Sequence, residues 1–216
     1  MRACAGAMLL ALGAGAALAD GKPVGLSANL PYVDVVHDGK PFRIQRDQDN
    51  DAEIDPAYAF TSRPCPPYCI QPMQLAPGVE TIGELELFDY LVRASRQDGN
   101  VLVVDSRDRD WLVRSGIIPG AVHVPWTRLH AAHNDPQAIA DIVVMQFGAA
   151  HSGPMWNFEN AKTLAFYCNG AWCGQSPTNI KQLLALGYPP HKLKWYRGGM
   201  QAWKGLGLPT LPIGKP

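Results

Sequence analysis

The chain has 216 residues, enough for one domain with an appendage and too few for two full domains. Its 47% hydrophobic and 18% charged residues exclude a disordered chain and fit a soluble globular one. Lys+Arg and Asp+Glu stand equal at 19, so no basic excess exists to neutralise phosphates, which removes the usual case for a nucleic-acid partner.

Arg2 precedes an apolar, small-residue run over 3–18 that closes with Ala17-Leu18-Ala19 before Asp20. This pattern is that of a secretory signal peptide, residues 1–19, cut after Ala19; the run is short and rich in Gly and Ala for an uncleaved membrane anchor. The expected mature protein is periplasmic or secreted, with no membrane attachment. Loss of Cys4 would leave Cys65, Cys69, Cys168 and Cys173 in an oxidising compartment, where cysteines pair.

Residues 20–77 form an N-terminal extension of short extended pieces and turns. Residues 32–36 alternate as a strand does, His37-Asp38-Gly39-Lys40 has hairpin-turn chemistry, and 41–45 return as a second strand. The acidic run from Asp47 to Glu53 lacks the glycine and terminal glutamate of a calcium loop and reads as a solvated turn. A proline-stiffened segment, Arg63-Pro64-Cys65-Pro66-Pro67-Tyr68-Cys69, carries a CxxxC pair. The pair reads as a local disulfide, the alternative being two cysteines lying over the active loop.

From residue 78 onward, periodicity takes over. Residues 82–94 place Leu85, Phe88, Leu91 and Val92 on one helical face, ahead of an Asp98-Gly99 break. Val101-Leu102-Val103-Val104 reads as a buried parallel strand ending in Asp105-Ser106-Arg107. Further strands fit 121–124 and 163–167, the latter leading into Cys168. A helix over 176–186 has Ser176 as its cap, Pro177 at its first position and Gly187 as terminator. A last strand over 193–196 precedes Gly198-Gly199 and a short helix around 200–204. The expected fold is α/β, a mostly parallel sheet flanked by helices with a short-stranded, irregular N-terminal extension.

The stretch Tyr167-Cys168-Asn169-Gly170-Ala171-Trp172-Cys173-Gly174-Gln175-Ser176-Pro177 runs from strand to cysteine to loop to helix. Such a loop turns its backbone N–H groups around the sulfur while the helix start adds positive potential, and both favour thiolate. With Asp105-Ser106-Arg107, the run Gly116-Ile117-Ile118-Pro119-Gly120-Ala121 and Arg197-Gly198-Gly199-Met200-Gln201-Ala202-Trp203, the chain over about 78–216 resembles the rhodanese superfamily. That resemblance implies that Cys168 attacks the outer sulfur of a small donor, thiosulfate-like or a persulfide, and passes it as a persulfide to a thiol or protein acceptor. Asn169, Gly170, Ala171, Trp172, Gly174, Gln175 and Ser176 would line the pocket.

Three features depart from the common pattern. The loop is about two residues longer, the cationic or hydroxyl residue late in the loop is missing, and a second cysteine, Cys173, lies inside it. Cys173 reads either as a resolving thiol that forms a disulfide with Cys168, or as a structural partner for the CxxxC segment or simply a small buried residue. Trp172 is a lid or a packing residue. Asp105 reads as a structural aspartate supporting the loop; Arg107 and Arg197 supply positive charge or form salt bridges. His130, His133 and His151 lack ligand spacing, and no organic cofactor or metal is expected. Two rival functions stand beside sulfur transfer: a thiol–disulfide redox protein using Cys168 and Cys173, and a catalytically silent binding module.

Overall fold

A computed structural model describes residues 23–61, 63–96, 99–153 and 155–214. The expected signal segment, with Cys4 and the cleavage position at Ala19, lies outside the described residues, as does Asp98 of the expected break.

In chain order, β1 (Val33–His37) and β2 (Lys40–Ile44) form an antiparallel hairpin. Its turn residues Asp38 and Gly39 have φ of 48° and 74°, the positive values a two-residue hairpin turn of this hand requires. The central elements follow: β3 (Glu80–Ile82), α1 (Glu84–Ala94), β4 (Val101–Asp105), α2 (Arg109–Ser115) and β5 (Val122–His123). Then come α3 (Trp126–Leu129), α4 (Pro136–Met145), a small hairpin of β6 (Ala150–Ser152) and β7 (Met155–Asn157), and β8 (Thr163–Tyr167). The chain closes with α5 (Gln175–Ala185), β9 (Leu193–Tyr196) and α6 (Gly199–Gly205).

Five strands make one parallel sheet in the order β3-β9-β8-β4-β5, with β8 near the centre and Cys168 directly after it. Because side chains alternate along a strand, the sheet buries two separate cores. Val103, Ala165, Tyr167 and Tyr196 face the layer of α1 and α6. Val104, Leu164, Phe166 and Trp195 face the layer of α4 and α5. The extension joins the first core through Val35, Ile44 and Tyr58, each at most 2% exposed.

Two expected boundaries move. Ile82 pairs opposite Tyr196 in β3, so α1 begins at Glu84 rather than at residue 82. The Glu86 carboxylate accepts a hydrogen bond from Gly83 N (3.0 Å) and fixes the helix phase. In that phase Leu87, Phe88 and Leu91 are buried and Leu85, expected inside, is 54% exposed. In α5 the cap is Gly174, not Ser176, and Pro177 lies within the first turn, where its missing N–H costs nothing. The segment between β4 and β8, where α2, α3, α4 and the β6–β7 hairpin lie, was not anticipated beyond β5.

Candidate active site

Cys168 ends the most deeply buried strand and is 2% exposed. Its carbonyl accepts from Met200 N (2.9 Å), and the carbonyl of Asn169 accepts from Gln201 N (2.9 Å), so the start of α6 holds the first half of the loop. This close approach explains Gly198-Gly199. Gly199 has φ of 56°, and a Cβ there would lie 2.4 Å from the Cys168 carbonyl oxygen. Cys173 N donates to Gly170 O (2.9 Å), closing a tight turn that brings the second cysteine back over the first.

The thiol meets both an acceptor and donors: Cys168 Sγ lies 3.4 Å from the Cys173 carbonyl oxygen, to which the thiol proton can be given. Ser176 Oγ donates to Cys168 Sγ at 3.1 Å, and Trp195 Nε1 donates to that same hydroxyl oxygen at 3.1 Å. The indole occupies the serine oxygen as an acceptor and leaves its proton for sulfur. Burial pushes the Cys168 thiol up, but hydrogen bonds from Cys173, the Ser176 hydroxyl and the N–H groups of Ser176 and Gly170 outweigh it, holding Cys168 below an ordinary thiol. Cys173 is driven the opposite way, well above an ordinary thiol, by burial and by the neighbouring Cys168. The two thiols are therefore shifted in opposite directions, and Cys173 Sγ lies 3.7 Å from Gln175 Oε1.

Cys173, not Cys168, lines the adjoining cleft of about 330 Å³. Its other walls are Asn169, Trp172, Gly174 and Gln175 from the loop, Thr178 of α5, Asp108, Trp111 and Trp126 from beyond β4, and Pro67 and Tyr68 from the extension. Asn169, Trp172, Gly174 and Gln175 thus meet as expected for pocket residues. Ser176 instead touches the sulfur, and Ala171 is tied by its carbonyl to Gln71 N (2.8 Å).

Asp105 and Arg107 are both fully buried. The Arg107 guanidinium pairs with the Asp105 carboxylate (2.7 Å) and donates to Ser115 Oγ (2.9 Å) and Gly116 O (2.6 Å). Its charge is used inside the fold, so the reading of Arg107 as positive charge for an anionic substrate is not met. Arg197 likewise donates to Gln71 O (2.8 Å) and anchors the extension.

Cys65 and Cys69 form a disulfide, while Cys168 and Cys173 are free thiols. The reading of Cys173 as the CxxxC segment's partner falls, because that segment closes on itself. The segment also lies over the loop: Tyr68 meets Trp172 edge-on (5.5 Å between centroids) and the Arg63 guanidinium stacks on the Trp172 ring at 3.9 Å. His130 and His133 pack edge-on against Trp126, and His151 stacks on Trp156. Among the described residues no group of three or more His, Cys, Asp or Glu could hold a metal ion.

Sequence reading missed Asp108, Trp111, Trp126 and Gln201. Asp108 carries the clearest missed signal, an acidic residue capping α2 directly after the β4 turn. Its side chain makes no capping bond and accepts from Trp126 Nε1 (3.0 Å) and Gln175 Nε2 (2.6 Å). Gln201 accepts from Trp172 Nε1 (2.9 Å) and holds the loop indole in place.

A parallel α/β sheet thus carries a buried cysteine directly after its central strand, in a loop that leads into a helix. The Rhodanese-like domain model matches residues 89–206, and the chain belongs to that family. No curated protein matches it. A solved structure from Rhodopseudomonas palustris, described as of unknown function and a possible tyrosine phosphatase, is 23% identical, covering 62% of this chain and 85% of its own at a TM-score of 0.42. One from Bacillus halodurans is 18% identical over 58% of this chain and 71% of its own, TM-score 0.39. One from Lactobacillus plantarum is 21% identical over 61% and 88%, TM-score 0.38. Likeness at this level says nothing of this chain's activity.

Proposed function

We propose that the protein is an exported sulfurtransferase, working in the periplasm or outside the cell, that carries sulfane sulfur on Cys168. The observation that carries this reading is the donor set around Sγ, which lowers the Cys168 thiol despite complete burial. The thiolate attacks the outer sulfur of a thiosulfate-like or persulfide donor. The donor's S–S bond breaks, its inner fragment leaves with the electron pair, and Cys168 holds the outer sulfur as a persulfide. An acceptor thiolate then attacks that outer sulfur and releases Cys168 as thiolate. The loop N–H groups that favour the thiolate also favour the persulfide anion.

Intact mass after incubation with inorganic polysulfide or thiosulfate tests this. A gain of about one sulfur atom, absent in Cys168→Ser and present in Cys173→Ser, is expected of an activated thiolate. No gain in any form after prior reduction would remove the reading.

A second reading rests on the two thiols being in contact with opposite shifts, the arrangement of an attacking and a resolving sulfur. Here Cys173 attacks the Cys168 persulfide, releases hydrosulfide and leaves a disulfide that an external dithiol must reduce. Detection of a 168–173 disulfide after one turnover, with hydrosulfide released in equal amount, would favour it over transfer to an acceptor.

A further inference from the structure

We infer that the cleft beside Cys173 selects a sulfur compound whose carrier bears a positively charged ammonium group, and disfavours small anions such as thiosulfate. This deepens the sulfurtransferase reading and rests on it for the word "carrier".

The walls decide the charge. Four aromatic side chains, Tyr68, Trp111, Trp126 and Trp172, line a space of about 330 Å³, and among the described residues no Lys, Arg or His lines it. Aromatic faces carry negative potential and attract ammonium and guanidinium groups while offering nothing to an anion. One cation already uses this preference: Arg63 lies 3.9 Å over the Trp172 ring without lining the cleft. The single carboxylate among the described residues of the lining is Asp108, which accepts from the neutral Trp126 and Gln175 side chains. Its negative charge therefore stays unpaired by any ion pair among the described residues, on a half-buried side chain where a charge is less screened than in bulk water.

A second, independent sign is Asn169. The residue is 1% exposed and lines the cleft, yet its side-chain oxygen accepts no hydrogen bond. A buried acceptor left without a donor is costly, and rotation of this side chain toward the cleft it lines would let a ligand N–H or O–H satisfy it. Asp108 and Asn169 are both acceptors, so polar complementarity and the aromatic walls ask for the same partner: a donor-bearing cation. Arg107, the charge that would have welcomed an anion, is locked beneath the sheet end by Asp105.

Choline and 3,3-dimethylbutan-1-ol have nearly the same shape and differ in charge, which makes them the probes of choice. Titrated into the full protein by calorimetry, with tryptophan fluorescence locating the site, choline should bind at least about tenfold more tightly than the neutral alcohol. Asp108→Asn should bring the two within about threefold of each other, as loss of an unpaired partly buried charge requires. Sodium thiosulfate should leave choline affinity unchanged beyond the effect of sodium chloride at equal ionic strength. Equal binding of choline and the alcohol, or displacement of choline by thiosulfate, would overturn the proposal.

A second arm separates the proposal from the reading beneath it. Protein loaded with sulfur by polysulfide is mixed with thiocholine or 3-mercaptopropionate, and rates are compared per thiolate. Faster discharge by thiocholine is expected, and equal or faster discharge by the carboxylate would overturn the charge preference. If no persulfide forms at all, sulfur transfer falls, while the choline titration still decides the character of the cleft.

Discussion

Ser176 makes two contacts that depend on each other: it gives its proton to Cys168 and takes one from Trp195. Hydrogen bonds to a charged acceptor are worth more than neutral ones, so Ser176→Ala should slow iodoacetamide alkylation of Cys168 by roughly tenfold at pH 7. The alkylation profile of the unaltered protein should have its midpoint below that of an ordinary thiol, and the variant's should move toward higher pH, since removing a donor disfavours the thiolate. A midpoint that does not move would mean that backbone N–H groups alone set the thiol. At Asp105 the expectation concerns stability. Asp105→Asn leaves the fully buried Arg107 without its counter-charge and should cost about 3–5 kcal/mol in urea unfolding. The position of Cys168 directly after a buried strand was legible in the sequence, because strand, cysteine and glycine-bearing loop are contiguous. The sequence assigned Ser176 to the helix cap, because a serine before proline has the right chemistry for that. What it cannot encode locally is where α5 begins; Trp195 of β9, arriving from elsewhere in the chain, draws the hydroxyl onto sulfur instead.

At the level of elements, the loop is clamped by α6 on one side and opens α5 on the other. Gly199→Ala would drive a methyl group onto the Cys168 carbonyl while forcing alanine to a positive φ. Strain of this kind costs about 1–3 kcal/mol, and because it falls on the loop the loss of Cys168 reactivity should exceed the loss in melting temperature. Reactivity retained alongside a large drop in melting temperature would show that α6 supports the sheet and not the loop. Four of the five central strands were legible, the edge strand β5 among them within 121–124, and burial made the interior ones plainest. β4, β8 and β9 lie inside the sheet, and the runs 101–104, 163–167 and 193–196 were visible. β3 at the edge is three residues long and was absorbed into the following helix. α2 and α3 escaped because helices of 7 and 4 residues are too short to show a period, and with them went Asp108, Trp111 and Trp126, three of the eleven residues that line the cleft.

On the scale of the whole molecule, the extension is a cover fastened at several points: Tyr68 and Arg63 on Trp172, Gln71 N on Ala171 O, and Arg197 on Gln71 O. The Cys65–Cys69 disulfide shapes that cover and leaves the sheet alone. Closing so short a loop is worth about 2 kcal/mol on chain-entropy grounds. Selective reduction, or replacement of both cysteines by serine, should therefore lower the melting temperature by only a few degrees. It should raise the alkylation rate of Cys173, the thiol nearest the cleft, more than that of Cys168. Equal acceleration of both would mean that the segment does not restrict the cleft.

The bond between Arg197 and Gln71 spans 126 residues of chain. Contacts so distant in sequence form after local ones, since the chain entropy of closing the intervening segment must first be met by other native structure. During refolding the sheet and its terminal cysteine should thus assemble while the cover is still undocked, and for that interval both thiols stand open to oxidants. A refolding buffer without reductant should then trap a fraction of molecules with a 168–173 bridge or with cysteines crossed to Cys65 and Cys69. Yield of correctly paired protein should rise with the rate of docking, so the order of assembly, and not the strength of the final fold, limits how much correctly paired protein forms without reductant.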